Sequence, residues 1–248
     1  MTPSADRWLW LRAAAVHVYT ASGAVLALLI VLAAVDGDVV RALWLGLAAM
    51  FVDGTDGMLA RRFEVKQRLP WFDGARLDDI VDYLTYVFAP VVLLRQGGYL
   101  PEGTVGLLVA SVPLLASCYQ FCRVDAKTDD HTFLGFPSYW NVIAFYAVVM
   151  GLGPAAVTVV LLVCAALVPV PIGYLYPSRT RAFRTVSLAL SLVWAVLYAV
   201  LLVQMPDPSA VVLALSLGYV VYYLGASLFL EARKRAGRGR TDVPAAAV

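Results

Sequence analysis

Apolar runs long enough to cross a lipid bilayer constrain this chain more than anything else in it. A membrane-crossing helix needs roughly 17–25 mostly apolar residues. That ruler finds eight segments: 17–35, 39–60, 75–95, 103–122, 138–152, 154–176, 183–204 and 209–230. The fifth is marginal in length and the others suffice. Their apolar character is continuous, which favours helices over barrel strands, where it would alternate in segments of roughly ten residues. Turn residues separate them: Asp36-Gly37-Asp38, Gly97-Gly98, Gly151 to Pro154, and Pro206-Asp207-Pro208. Composition agrees. The chain is 61% hydrophobic and 15% charged, where a soluble domain stands nearer half and a quarter. Disorder is excluded by the same figures. The expected fold is an all-α integral membrane protein, a bundle of about eight transmembrane helices in a single domain over 1–248. Residues 5–16, with Trp8, Trp10 and Leu11 beside Arg7 and Arg12, read as a short amphipathic helix at the interface. A cleaved signal peptide is the rival reading, and the apolar run is too long for one.

The net charge of +2 makes no case for nucleic acid. It averages over charges that are sorted by side. In the eight-span layout, all of the 19 Lys and Arg residues except Arg41 and Arg95 fall at the N-terminus, in alternate loops or in the C-terminal tail. The positive-inside rule then puts both termini in the cytoplasm, which requires an even number of spans. The basic tail 231–248 is expected to be flexible, an anchor of topology or an attraction for anionic lipid. Cys118, Cys122 and Cys164 form no disulfide framework and read as small buried hydrophobes.

Charged side chains inside spans are costly and mark function, and two spans carry them densely. On a helix Asp53, Asp56, Gly57 and Ala60 share one face, as do Gly74, Asp78 and Asp82. At 1.5 Å per residue, Asp53 and Asp82 each lie roughly 10 Å inside the ends of antiparallel neighbours. Four carboxylates therefore meet at one depth. Close anions at low dielectric need compensation, and oxygen-only ligands favour Mg²⁺ or Mn²⁺ over zinc. Small Gly57, Ala60 and Gly74 leave the facing surface open, and Arg61 adds a cation suited to phosphate. The chemistry implied is phosphoryl transfer at a metal centre. Asp79 lies one residue off the Asp78–Asp82 face, and periodicity alone does not exclude it.

Asp53, Asp56, Gly57, Ala60 and Arg61, followed by Gly74, Asp78 and Asp82, reproduce D-x2-D-G-x2-A-R and G-x3-D-x3-D. In this the chain resembles the CDP-alcohol phosphotransferases, and the signature selects Asp78 over Asp79. The spacer 62–73 is longer than in most members. With the run Leu77 to Val87, Val16 to Gly23, Phe136 to Asn141 and Tyr176 to Arg181, it resembles the bacterial phosphatidylcholine synthase branch. The resemblance covers roughly residues 16–185. It implies an inner-membrane enzyme, active near the cytoplasmic face, that transfers the phosphatidyl group from CDP-diacylglycerol to choline. The products would be phosphatidylcholine and CMP. It further implies two Mn²⁺ or Mg²⁺ ions held by Asp53, Asp56 and Asp78, with Asp82 shared between metal and base roles. Gly57, Ala60 and Gly74 would line the cytidine side and Arg61 would stand near the diphosphate. A homodimer is also implied.

A quaternary ammonium is held by aromatic faces. Candidates are Tyr86, which is i+4 from Asp82, with Tyr83, Tyr119, Tyr139 and Trp140. The competing reading is an interfacial aromatic belt. Arg179, Arg181 and Arg184 serve either phosphates or topology. His17 reads as a paired core histidine or a substrate contact, and Asp125, Asp129, Asp130 and His131 as a solvated loop. Two other functions compete. The same reaction with serine, glycerol phosphate or inositol phosphate as acceptor would demand more cations around the acids. An ion or proton transporter would need a polar trail through other spans, and none is visible.

Overall fold

The computed structural model describes residues 3–126, 128, 132–177, 180 and 182–241. Lys127, Asp129, Asp130, His131, Arg179 and Arg181 lie outside them, as does the tail beyond Thr241. Helices dominate the described residues: α1 (Pro3–Val35), α2 (Val39–Arg62), α3 (Val65–Arg68), α4 (Gly74–Asp82), α5 (Ala89–Gln96), α6 (Gly103–Cys122), α7 (Trp140–Val149), α8 (Pro154–Leu167), α9 (Arg184–Val203) and α10 (Ala210–Thr241). A π-helical turn, Tyr83–Phe88, joins α4 to α5, and two short strands, β1 (Thr132–Leu134) and β2 (Gly173–Leu175), lie between helices. Among the described residues five helices are long and apolar enough to cross a membrane: Arg7–Val35, Val39–Arg62, Gly103–Cys122, Arg184–Val203 and Ala210–Ala236. The protein is thus an all-helical membrane protein. Its chain divides into two compact units, residues 1–117 with 138–163, and residues 118–137 with 164–248.

In the first unit α1 is one rod. The interfacial helix expected over 5–16 is not a separate element, because no proline or glycine interrupts the chain before Gly23. Gly23 itself marks a close approach: a Cβ there would stand 2.5 Å from Val81 Cγ1 on α4. Gly37, at φ 77°, turns the chain out of α1, and the Asp38 side chain accepts from the Arg41 N–H at 2.9 Å to start α2. The spacer after α2 is folded. Val65 and Leu69 bury themselves with Ala13 and Val16 of α1, flanked by Leu59, Ala60 and Phe63. Asp73 then caps α4, accepting from the Arg76 N–H at 3.1 Å.

The expected third span is present as a continuous helical path of 9, 6 and 8 residues, with the π turn in the middle. The expected fifth and sixth spans differ. Helix α7 has 10 residues, about 15 Å of rise, and α8 has 14, about 21 Å. Neither helix alone matches a hydrocarbon core of about 30 Å. Helix α7 is buried on nearly every side, from Trp140 to Val149, so its apolar composition reflects a core rather than lipid contact.

In the second unit β1 and β2 pair antiparallel, Phe133 opposite Tyr174, an element absent from the sequence expectations. The pair is fastened to α10. The Gly173 N–H donates to Glu231 Oε2 at 3.1 Å, the Leu175 N–H to Ser227 Oγ at 3.0 Å, and Lys234 Nζ to Thr132 Oγ1 at 3.0 Å. These bonds, with the Arg235–Glu231 pair at 2.7 Å, account for a second difference: α10 continues to Thr241, so the first residues of the expected flexible tail are helical. Arg123 donates to both oxygens of Asp125 at 2.7 and 2.8 Å, and its guanidinium holds that carboxyl below the usual carboxylate range. Cys118 and Cys122 are exposed and Cys164 half-buried, contrary to the burial expected. On a membrane protein an apolar residue is at home on the outer face, so hydrophobicity no longer predicts burial.

Gly23 and Gly218 should therefore respond oppositely to alanine. Gly218 has nothing within 4 Å of its virtual Cβ, and Gly218→Ala is expected to stabilise by roughly 0.5–1 kcal/mol through helix propensity. Gly23→Ala must displace Val81 and is expected to destabilise by about 1–3 kcal/mol. Thermal or denaturant unfolding of the purified protein in detergent measures both.

Candidate functional site

The acids of the two motifs come from the C-terminal turns of α2 and from α4. Asp53, Asp78 and Asp82, all half-buried, each offer a ligand oxygen within 4.8 Å of the others. Around Mg²⁺ or Mn²⁺ with metal–oxygen distances near 2.1 Å, ligand oxygens stand about 3.0–4.2 Å apart. The three carboxylates are thus within reach of one hard cation, and among the described residues no nitrogen or sulfur donor shares the group. Asp56 is outside this triplet. It is 6% exposed, and its Oδ2 accepts from Thr20 Oγ1 at 2.8 Å. Asp79 is half-buried and likewise outside the triplet.

Helix α1 supplies partners that motif reading passed over. Besides the Thr20–Asp56 bond, the Tyr19 hydroxyl pairs with Thr55 Oγ1 at 2.7 Å. The signal was present in the sequence: His17, Tyr19 and Thr20 interrupt the apolar run that opens the first span. His17 does something other than the core pairing expected. Its ring lies tilted against Phe72 with centroids 4.3 Å apart, and its buried Nε2 has no hydrogen-bond partner among the described residues.

The small motif residues divide into two kinds. A Cβ on Gly57 would meet only Arg61 Nη1, at 3.4 Å, and one on Gly54 nothing within 4 Å. Arg61 is exposed, with its guanidinium folded back along this face. Gly74 is different. A Cβ there would stand 2.7 Å from His17 Cε1, so its bare backbone is occupied by the histidine of α1. Ala60 packs against the Ala13, Val16, Val65 and Leu69 cluster. Gly74 and Ala60 therefore admit α1 rather than leave an empty surface.

The aromatic candidates are dispersed in role. The Tyr86 hydroxyl donates to Asp53 Oδ2 at 2.6 Å, and its ring lies 6.2 Å from that of Tyr139. Tyr83 donates to the Leu114 carbonyl at 3.2 Å. Trp140 is fully buried and its Nε1–H donates to Ser117 Oγ at 2.7 Å, a packing role. Tyr119 belongs to the second unit, where it is exposed with the Arg123 guanidinium 5.6 Å from its ring centroid. The structure brings Tyr86 and Tyr139 together beside the carboxylates through the Asp53 bond, and gives Tyr83 and Trp140 other partners.

Because Asp56 is buried, its partner hydroxyl matters to stability. Thr20→Val is expected to lower the unfolding free energy by about 1–3 kcal/mol, and Thr20→Ser to recover most of the loss. Denaturant midpoints of the three proteins test this.

The chain was compared with known proteins. A relative from Pseudomonas aeruginosa is 42% identical over 235 residues, covering 94% of this chain and 96% of its own length. One from Legionella pneumophila is 40% identical over 86% of each chain. One from Rhizobium meliloti is 37% identical over 87% of this chain and 90% of its own. All three carry the name phosphatidylcholine synthase. The family model for CDP-alcohol phosphatidyltransferases matches residues 14–221, both acid-bearing helices included. On that match and these relatives, the chain belongs to the CDP-alcohol phosphatidyltransferase family.

Proposed function

We propose that this protein transfers the phosphatidyl group of CDP-diacylglycerol to choline, forming phosphatidylcholine and CMP in phospholipid synthesis. The observation that carries the reading is the Asp53–Asp78–Asp82 triplet, in a chain whose relatives over nearly their whole length are phosphatidylcholine synthases. The choline hydroxyl oxygen attacks the phosphorus attached to diacylglycerol. A new P–O bond forms there, and the P–O bond to CMP breaks, its electron pair leaving on CMP. Asp82 takes the hydroxyl proton. Asp53, Asp56, Asp78 and Asp82 would hold Mg²⁺ or Mn²⁺, two ions for four carboxylates. Such cations polarise phosphoryl oxygens and steady the departing phosphate.

Gly57 and Arg61 form the open face along which the diphosphate is bound, and Gly74 and Ala60 set the depth of α1 beside it. Of the aromatic residues, Tyr139 and the ring of Tyr86 are assigned to the choline ammonium, a reading supported by their ring separation of 6.2 Å. The sorting of basic residues supports eight crossings, with the short helices α7 and α8 in the fifth and sixth. Both termini and the acid cluster then lie toward the cytoplasm of a bacterial inner membrane. A homodimer, implied by the resemblance, belongs to the same reading.

The test is CMP release from CDP-diacylglycerol by purified protein. Release is expected to require choline, to stop on addition of EDTA and to return with Mn²⁺. Asp82→Asn should lower kcat by roughly 10²–10⁴-fold, the usual weight of a general base, with an unchanged unfolding midpoint. Serine-dependent release without choline dependence would overturn the acceptor. Ion flux in proteoliposomes without CMP release would overturn the enzyme.

A further inference from the structure

The motif spacing accounts for the aspartates but not for the backbone that follows the last of them. After Asp82 the helix loosens into the π turn Tyr83–Phe88, where the Ala89 N–H donates to the Leu84 carbonyl five residues back. Pro90 supplies the cause. It stands at the start of α5 and has no N–H to offer the carbonyl of Tyr86, four residues earlier. Its ring would also collide with that carbonyl in a regular helix. Widening the turn removes the conflict, and π turns of this kind gather at functional sites. The turn is firmly held: Thr85 and Val87 are buried, and the Thr85 hydroxyl donates to the Val81 carbonyl at 3.0 Å.

Within that turn the Tyr86 hydroxyl is delivered to Asp53 Oδ2 at 2.6 Å, the short distance of a charge-assisted O–H···O⁻ bond. Asp53 comes from a different helix and is one of the three converging carboxylates. We infer that Tyr86 is a positioning residue for the metal centre, fixing one oxygen of Asp53 so that the carboxylate is held in one orientation for a divalent cation. The inference rests on the reading that these carboxylates hold such a cation. It gives the Tyr86 hydroxyl a duty separate from choline recognition, in which only the ring face would take part.

The experiment is a Mn²⁺ titration of the full-length protein in detergent without substrates, following free Mn²⁺ by electron paramagnetic resonance. Groups that orient metal ligands are worth roughly 10–100-fold in metal affinity. Tyr86→Phe is expected to weaken Mn²⁺ binding by that factor. Tyr83→Phe is the control. It removes a hydroxyl from the same turn, but one bonded to the Leu114 carbonyl, and should leave Mn²⁺ binding unchanged. Pro90→Ala keeps both hydroxyls and acts on the turn alone, and is expected to weaken Mn²⁺ binding in the same direction. It decides the matter if Tyr86→Phe does not fold. Wild-type Mn²⁺ affinity in both Tyr86→Phe and Pro90→Ala, or a change confined to the choline KM, overturns the inference and leaves the metal reading standing. A wild-type protein that binds no Mn²⁺ overturns the metal reading and the inference with it.

Discussion

Carboxylates placed among apolar helices are the constraint from which the rest of this structure follows. Each is stable in charged form only if something nearby compensates it. The chain answers differently for each acid. Asp56, the most deeply buried, receives the Thr20 hydroxyl. Asp53 receives the hydroxyl of Tyr86. Asp53, Asp78 and Asp82 then stand close enough to share a cation. The α1–α2 hairpin, the π turn and the capped start of α4 are the means by which these partners arrive at one depth.

Close helix approach is the second requirement, and small residues satisfy it. Gly23 meets Val81 and Gly74 meets His17, so α1 runs alongside α4 in the same direction with side-chain atoms against bare backbone. The folded spacer extends this contact, since Val65 and Leu69 close over Ala13 and Val16. The additional length of segment 62–73 is thereby explained. It forms a turn of helix and a small core that seat the start of α1, rather than a slack connection.

The sequence was legible where one strong physical rule acted alone. The long apolar runs of α1, α2, α6, α9 and α10 were read from length and hydropathy; helical spacing put four carboxylates at one depth, of which the structure groups Asp53, Asp78 and Asp82 and leaves Asp56 with Thr20. It was less legible where two rules gave the same signal. A buried core helix and a lipid-facing span are equally apolar, so hydropathy alone did not show that α7 has 10 residues and is buried on nearly every side. Gly74 read as an open surface because a glycine announces close approach without naming what approaches. The π turn was foreshadowed by Pro90 alone, and the tie between Tyr86 and Asp53 depends on the rotation that turn introduces. The pairing of β1 with β2 joins segments far apart in sequence, and three-residue strands carry almost no periodicity.

The two hydroxyl bonds between α1 and α2, Tyr19 to Thr55 and Thr20 to Asp56, have a consequence for traffic. Bonds of 2.7 and 2.8 Å do not survive a slide of one helical turn, about 5.4 Å, so the seam is locked in register. A two-tailed lipid cannot wedge it apart without stripping the partner from Asp56. Phe51, Gly54 and Met58, on the flank of α2, are exposed. For the reaction proposed above, acyl chains against that flank would stay in the bilayer while the headgroup passes inward beside Gly54.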